Sequence, residues 1–325
     1  MRPFSTIFRR FLPQTRVRHS TRPSSVMCVT FLCTDGLERG LGYKLILLNN
    51  RDEVLDRRTS GAHWEDGFLG GRDEQAPERG TWLGVSRQGR VGNLLSITEP
   101  QHVQDRLIDP PSRGVIPSDF LASGLTAGEF CDRLHKNARL YQGFQFVALE
   151  RNSADRFEIL SLTNKMVEEV KPRSWPAGAQ LSIHFIYFFS FDSGSYCFGN
   201  SPRDRMMKKV EYGEREFSRL ISEFTPQSSE AEIVAGLMRL AKDDTRHFPD
   251  PQIGLQTHRN DDYNRCLSSI FVRFPPAIRY GTRSHTILLV DANNRAFFRE
   301  ERMVEVPEDP ADARWEALEH RFELE

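Results

Sequence analysis

An arginine and two carboxylates stand together where an apolar segment ends. The tetrapeptide Asn-Arg-Asp-Glu at 50–53 follows the apolar run 45–48, which predicts a buried strand with charged side chains at its end. The strand predicted before it carries Cys28, and the short glycine-rich turn between the two predicts a hairpin. A thiol beside a guanidinium has a lowered pKa and is more nucleophilic. The sequence therefore predicts a site that contains Cys28, Arg51 and Asp52, while a small buried strand residue is the alternative interpretation of Cys28.

The elements that must position these residues follow from periodicity and turn residues. Helices are predicted after the capping boxes that begin at Thr126 and Ser229, and between Pro202 and Phe224. Strands are predicted at 27–32, 45–48, 80–85, 90–95, 143–149, 156–162, 165–170, 266–274, 285–291 and 296–301. Strands at both ends of the chain and helices in the middle predict an α+β fold with mostly antiparallel sheets in layers. Because no linker or repeat divides the chain, one domain is expected from 27 to 325.

Composition limits the classes of function. The chain has 325 residues, 38% of them hydrophobic and 27% charged, as expected of a globular protein with a sizeable core. Its five cysteines are widely spaced, without a Cys-x-x-Cys pair or histidines at zinc spacing, which predicts a reducing compartment and no metal ion. The apolar run 181–191 is shorter than the ~20 residues that span a bilayer, so no integral membrane span is expected.

The first 26 residues differ from the rest. They contain six arginines and no acidic residue, together with several serines and threonines, a composition typical of a mitochondrial transit peptide. A disordered basic tail, or an upstream extension with true initiation at Met27, remain the alternatives. Removing six positive charges from the net charge of −1 leaves −7, and an acidic body argues against nucleic-acid binding.

The aromatic, uncharged run 181–191 has the composition of an aggregation-prone strand. A hydrophobic lip for a ligand and a loop that touches a membrane are two functional interpretations. An extra buried strand and a misjudged exon boundary are the structural ones, and together they are favoured.

Five blocks in order carry a resemblance to a known family. They are Met27-Cys28, the tetrapeptide at 50–53, Gly-Thr-Trp-Leu-Gly at 80–84, Gly-Asn-Ser at 199–201, and the segment 280–291. Together they resemble the NRDE family, also called the transport and Golgi organization protein 2 family, over nearly all of 27–325. Two features depart from the family: it normally begins at the equivalent of Met27, and the run 181–191 looks like an insertion.

The same blocks look like the N-terminal-nucleophile hydrolases, so the resemblance implies a four-layer αββα sandwich. In those enzymes the side chain of the first residue attacks an amide while its own α-amino group takes the proton. By resemblance Cys28 is the nucleophile, Arg51 and Asp52 hold and tune it, Asn200 donates to the oxyanion and Arg283 is the second arginine. Should the chain not be catalytic, the same residues are expected to line the site.

Two features argue against an active hydrolase. Ser96 stands where the family shows an asparagine that completes the oxyanion hole, and Asn93 lies three residues away. Cys28 has a free α-amine only when the residues before it are absent, through removal of a transit peptide or initiation at Met27 followed by loss of the methionine. An N-terminal-nucleophile amidohydrolase is therefore the second hypothesis, and the enzyme question stays open with a preference for no.

The family resemblance implies a different first hypothesis, a heme trafficking and homeostasis factor. Such a protein binds heme, mobilises it from mitochondria or other stores and hands it to heme-acceptor proteins, in the cytoplasm and/or the mitochondrion. The sequence contains no Cys-Pro or Cys-x-x-Cys-His motif, so a weakly ligated apolar cleft is expected. Trp82 is the candidate wall of that cleft, with core packing as its structural interpretation. The candidate axial ligands, which the sequence does not rank, are Cys28, His63, His184 and His285.

The resemblance also implies a third hypothesis, an interaction protein of the secretory pathway with a role in Golgi organisation. No signal peptide or membrane span supports a luminal or integral version.

Overall fold

The computed structural model describes residues 27–104, 106–176 and 194–325. These residues form two antiparallel sheets. Sheet A has the order β10-β1-β2-β11-β12-β13, and sheet B runs from β3 to β9 in sequence order. Sheet A contains β1 (Val29–Cys33), β2 (Tyr43–Val54), β10 (Ser195–Phe198), β11 (Tyr280–Asp291), β12 (Arg295–Glu305) and β13 (Arg314–Glu323). Sheet B contains β3 (His63–Glu65), β4 (Phe68–Gly70), β5 (Leu83–Ser86), β6 (Val91–Ser96), β7 (Phe144–Arg151), β8 (Phe157–Thr163) and β9 (Arg173–Trp175).

Seven helices lie among the described residues, and they flank the two sheets. They are α1 (Gln101–Gln104), α2 (Val115–Ala122), α3 (Ala127–Asn137), α4 (Lys208–Glu223), α5 (Glu230–Ala241), α6 (Pro251–Thr257) and α7 (Asp261–Leu267). In this part of the chain no helix is long and apolar enough to cross a membrane.

Three apolar cores separate four layers. One core packs sheet A against α4, α5 and α6, as in the stacking of Phe31 on Phe217 at 5.5 Å. A second core lies between the two sheets and includes Leu47. The third packs sheet B against α2 and α3, where Phe120 contacts Phe146 edge to face. Successive strand side chains point to opposite faces, so strands buried on both faces are apolar at consecutive positions. The order of the layers confirms the predicted αββα sandwich.

The local predictions that depend on strong turn and cap residues are confirmed. β1 pairs antiparallel with β2, with Val29 opposite Asn50, and β5 pairs antiparallel with β6. Both capping boxes form, at Thr126 before α3 and at Ser229 before α5. In each box the hydroxyl accepts from the backbone three residues later, and the glutamate at that position returns to the cap backbone.

Other predicted elements are wrong. The segment 165–170 is irregular, because Met166 has a φ of 59°, and the strand that follows β8 is β9 instead. The segment 266–274 is not a strand either: its first two residues end α7 and the rest forms a loop that packs on the core with Ile270. Apolar residues in a loop that fills a core give the same pattern as a short strand.

Several further elements were not anticipated, namely α1, α2, α6, α7, β3, β4, β10 and β13. The aromatic run 181–191 and the basic segment 1–26 lie outside the described residues.

Candidate functional site

The alternation of side chains along β2 divides the charged tetrapeptide between the two faces of sheet A. Leu47 packs between the sheets and Leu48 packs against the helices. Two-residue periodicity therefore directs Arg51 and Glu53 towards sheet B, and directs Asp52 towards the helices. The three side chains do not surround one hollow, although they are consecutive.

Cys28 lies just before β1 and its thiol faces the space between the sheets. Its side chain is 5% exposed, and its Sγ lies 3.7 Å from the backbone carbonyl of Asp52. Burial, aided by the negative charge of Asp52, raises the pKa of the thiol to about 12, despite the opposing charge of Arg51. The predicted lowering of the pKa is wrong, because loss of hydration outweighs one guanidinium. At neutral pH Cys28 is a thiol.

Arg51 is the centre of a cationic, aromatic cluster on the sheet B side. Its guanidinium lies 4.1 Å from the centre of the Trp82 ring and donates to Glu53 at 3.2 Å. Trp82 is partly buried against the core between the sheets, so it serves as packing and as the wall that holds Arg51.

Arg283 joins this cluster from a bulge in β11. The register shifts between Thr282 and Ser284, and the Arg283 guanidinium donates to the carbonyls of Val54 and Arg57 at 3.1 and 2.6 Å. Burial, together with the nearby charge of Arg51, lowers the pKa of Arg283 to about 10. The guanidinium groups of the cluster are thus held by backbone carbonyls and by one carboxylate.

Asp52 takes part in a separate buried network on the helix side. Its Oδ1 accepts from the Thr282 hydroxyl at 2.5 Å, and Lys209 Nζ lies 3.9 Å from its Oδ2. Oδ2 is buried without a hydrogen-bond partner among the described residues. Burial raises the pKa of Asp52 to about 7, although Lys209 and Thr282 lower it. Burial also lowers the pKa of Lys209.

Met27 is fixed between this network and the thiol. It is fully buried, its backbone N–H donates to the Tyr280 hydroxyl at 2.9 Å, and its carbonyl accepts from Lys209 at 3.4 Å. Its sulfur is 4.0 Å from the Thr98 hydroxyl. The residue that precedes Cys28 is thus part of the core in this structure, and the Asp52–Lys209 pair lies next to the peptide that joins Met27 to Cys28.

Asn200 is linked to Met27 through Thr98, whose N–H donates to the Asn200 carbonyl at 3.4 Å and whose hydroxyl lies 4.0 Å from the Met27 sulfur. Its Nδ2 donates to the Ser96 carbonyl at 2.6 Å, while its Oδ1 is buried without a hydrogen-bond partner among the described residues. The Asn93 amide makes two hydrogen bonds: Oδ1 accepts from the Thr30 hydroxyl at 2.8 Å and Nδ2 donates to the Trp82 carbonyl at 3.1 Å.

Three residues of the site were missed at the level of sequence. Lys209 could have been found from the sequence. It lies four residues before Gly213 and eight before Phe217, on the buried face of α4, and a lysine on the apolar face of a helix indicates a buried polar partner. Arg113 carries no such signal. Burial lowers the pKa of Arg113, and the nearby Glu53 and Cys28 oppose part of this shift. Arg113 is therefore close enough to the cluster to interact with its charges.

The third missed residue, Gln256 in α6, acts as a clamp. Its Nε2 donates to the carbonyls of Thr98 and Asn200, at 2.9 and 2.8 Å. Gln256 is fully buried, yet the polar segment around it gives no sign of this. The reason is that its partners, Thr98 and Asn200, are distant from it in sequence.

Two of the candidate histidines, His285 and His63, lie among the described residues, and each has partners other than the Cys28 thiol. Asn50 donates to the carbonyls of Ala241 and Ile270, so its Oδ1 must accept from His285 Nδ1 at 2.8 Å. Burial lowers the pKa of His285 to about 3, so its ring is neutral, and the ring stacks on Trp315 on the helix side of sheet A. His63 lies in β3 and binds Gly61 and Glu65, and His184 is outside the described residues.

A groove of about 530 Å³ lies at the opposite end of β11 from Arg283. Residues of α5, β11, β12 and β13 line it, among them Leu289, Phe297 and Arg321, and none of the predicted site residues does. Among the described residues, no group of three or more His, Cys, Asp or Glu side chains could hold a metal ion.

Comparison with known proteins gives matches that cover most of the chain. Residues 27–305 match the family model described as Transport and Golgi organisation 2. A Drosophila melanogaster protein named Transport and Golgi organization protein 2 is 32% identical over 291 residues, which cover 85% of this chain and 92% of that protein. The Bos taurus homolog of the same name is 27% identical over 308 residues, which cover 92% of this chain and 100% of that protein.

Among solved structures, the Caenorhabditis elegans ortholog of N-acylethanolamine-hydrolyzing acid amidase matches with a TM-score of 0.45 at 10% identity. The match covers 81% of this chain and 92% of that one. The range 27–305 contains each of the six residues predicted for the site, namely Cys28, Arg51, Asp52, Trp82, Asn200 and Arg283.

Proposed function

Since the chain belongs to the Transport and Golgi organisation 2 family, we propose that it is a carrier of a small amphipathic ligand with an apolar body and an anionic group. Heme is the first candidate cargo. In this proposal the protein takes up heme in the cytoplasm and/or the mitochondrion and hands it to heme-acceptor proteins.

The stacking of Arg51 on Trp82 carries the proposal. A guanidinium on an indole face offers two donors to a carboxylate and an apolar plane beside them, which matches a porphyrin propionate and the ring that bears it. Arg283 and Arg113 add positive charge from β11 and from the segment before α2. Because these side chains are largely buried, the anionic group enters only when the covering side chains move.

The state of Cys28 supports release as well as binding. Iron binds the thiolate, and a thiol whose pKa is raised to about 12 gives up its proton at neutral pH only at a cost. A sulfur of this kind makes a weak axial ligand, which suits a carrier that must transfer its cargo.

A heme titration of the intact chain tests the carrier. We expect a saturable change in the absorption spectrum at micromolar heme, and affinity at least roughly tenfold lower for Arg51→Ala, since a lost charged hydrogen bond costs about 1.5–3 kcal/mol. Arg87→Ala is the matched control, because the Arg87 guanidinium also lies over a tryptophan, Trp64, at 4.6 Å but outside the site. Arg51→Lys keeps the charge and loses the planar fork.

Two results would contradict the carrier proposal. One is the absence of a spectral change in the intact protein at micromolar heme. The other is equal affinity of the Arg51→Ala and Arg87→Ala variants, with both folded as judged by their thermal unfolding.

The orphaned Oδ2 of Asp52 favours a second candidate, the N-terminal-nucleophile amidohydrolase. A buried carboxylate oxygen without a hydrogen-bond partner costs free energy, and it lies in the network next to the peptide at Cys28. Loss of Met27 would create an α-ammonium at Cys28 with Asp52 as its counter-ion. The α-ammonium has a pKa near ~7.7–8.0 in solution, so part of it is a neutral amine at neutral pH, and that amine can accept the proton of its own thiol.

A chain that starts at Met27 tests the hydrolase, because removal of the methionine by the host exposes Cys28. Mass spectrometry identifies the processed form, and hydrolysis of simple N-acyl amides is then compared between that form and the 325-residue chain. We expect activity only in the processed form and its loss in Cys28→Ala. Equal activity in both chains, or none in either, would eliminate this candidate without affecting the heme titration.

A further inference from the structure

β13 is a long free edge. The two sheets have four edge strands, and three of them are short: β10 has four residues, and β3 and β9 have three each. β13 has ten residues and, among the residues that the structure describes, pairs only with β12. A strand of this length with an unpaired edge is uncommon, because its backbone donors and acceptors invite pairing with another chain.

Symmetry restricts how two copies of β13 can pair. If two such strands extend one sheet, the pairing is antiparallel about a twofold axis perpendicular to the sheet, and opposite residues must point to the same face. The axis therefore passes midway between one residue and the same residue of the second copy. For a strand that spans Arg314–Glu323, the central candidates are Ala317, Leu318 and Glu319.

The register centred on Leu318 is complementary. Leu318 meets its own copy, Trp315 lies opposite Arg321, and Glu316 lies opposite His320. These pairings give an apolar contact on the axis, and on each side of it a cation–π contact and a carboxylate–imidazole pair. Cross-strand pairs of these kinds stabilise a sheet by about 0.2–1 kcal/mol each, and symmetry makes the two lateral pairs occur twice.

The neighbouring registers are not complementary. A centre at Glu319 places two carboxylates opposite each other at the axis. A centre at Ala317 places Arg314 opposite His320 and shortens the paired segment. The sequence of β13 thus favours the register centred on Leu318 over its two neighbours, as expected of a strand that pairs with a second copy of itself.

The existing contacts of β13 permit this pairing. The guanidinium of Arg321 binds Glu230 and the carboxylate of Glu316 binds Arg314, and the exposed fractions of these four side chains lie between 32% and 63%. Exposed ion pairs are worth little, so their rearrangement costs little. Trp315 is half-buried, with the His285 ring stacked on it at 5.2 Å.

From the free edge and its self-complementary sequence, we propose that β13 is a homodimer interface. Two copies of the chain join edge to edge, with Leu318 on the twofold axis, and form one continuous sheet of twelve strands. The inference is independent of what the site near Cys28 binds.

Sedimentation equilibrium of the full 325-residue chain tests the dimer. We expect a concentration-dependent mass that reaches twice the 37.5 kDa of one chain. Leu318→Lys places two ammonium groups opposite each other, so we expect the dissociation constant to rise by roughly tenfold or more.

Cross-linking tests the register and does not depend on the lysine variant folding. Leu318→Cys brings two thiols together across the axis, so mild oxidation should give a covalent dimer. Glu323→Cys is the matched control, because in this register the two copies of residue 323 are about 33 Å apart, at ~3.3 Å for each of ten residues. A monomer up to about 100 μM, or a dimer that Leu318→Lys leaves intact and Leu318→Cys does not cross-link, would overturn the proposal.

Discussion

Burial, more than neighbouring charge, sets the chemical state of the residues at the site. Cys28 lies near an arginine, yet its pKa is raised to about 12 because the thiolate would lose its hydration. Asp52 lies near Lys209, yet its pKa is raised to about 7 for the same reason. A guanidinium or ammonium next to a buried acid compensates for only part of the lost hydration.

Asp52 gives the stability a pH dependence with a definite sign. In the folded state the pKa of Asp52 is raised from 3.8 to about 7, so between these pH values the folded protein binds more protons than the unfolded chain. The contribution of Asp52 to the free energy of unfolding is therefore greatest below pH 3.8 and is lost as the pH rises through 7. We expect Asp52→Asn, which cannot ionise, to gain roughly 2–4 kcal/mol relative to the natural protein between pH 4 and pH 8. Urea unfolding at several pH values measures this difference.

Asp56→Asn is the control for this prediction. Asp56 is exposed, and its hydrogen bond with Arg279 lowers its pKa. Its contribution to the free energy of unfolding is therefore already complete at pH 5 and stays constant to pH 8. A gap between Asp52→Asn and the natural protein that does not change with pH would contradict the assignment of Asp52.

At the scale of the elements, β2 and β11 determine which face each charged residue occupies. The alternation of β2 separates Arg51 from Asp52, and the bulge in β11 lets Arg283 join the Arg51 side while Thr282 stays with Asp52. The segment before α2 is the third contributor. It brings Arg113 to the cluster through a close contact between Gly80 and Gly114, where Thr81 N–H donates to the Gly114 carbonyl at 2.9 Å.

This contact of two glycines predicts an asymmetric effect of substitution. A Cβ at Gly80 would overlap the backbone of Gly114, so Gly80→Ala must displace the segment that carries Arg113, at a cost of roughly 1–3 kcal/mol. A Cβ at Gly114 would meet nothing nearer than 3.4 Å, so Gly114→Ala is expected to be close to neutral. Thermal unfolding of the two variants compares them directly, and equal melting temperatures would refute the prediction.

At the scale of the whole molecule, the four layers place the site at one end of the space between the sheets. The apolar core fills the middle of that space with residues such as Leu47, and the polar side chains of Arg51, Glu53 and Arg283 gather where the strands leave it. The same architecture leaves β13 at the edge of sheet A, where among the described residues it pairs only with β12. The ligand proposal and the dimer proposal thus concern two separate regions of sheet A.

The sequence by itself determined the local features and the family. Capping boxes, glycine turns and alternating apolar residues act over a few positions, so the hairpin of β1 and β2, the hairpin of β5 and β6 and the starts of α3 and α5 could be predicted. The ordered blocks around Cys28, Arg51, Asn200 and Arg283 indicated the family and, by resemblance, the αββα layers.

Only the tertiary structure decided what those residues contact and how they are charged. Lys209, Arg113 and Gln256 reach the site from segments far away in the chain, and no short-range pattern records such an approach. The side chain of Asp52 turned away from Cys28 because strand alternation is fixed once Leu47 faces the other sheet. The pKa of Cys28 rose because its burial depends on all four layers together, and hydration is a property of that packing rather than of neighbours in sequence.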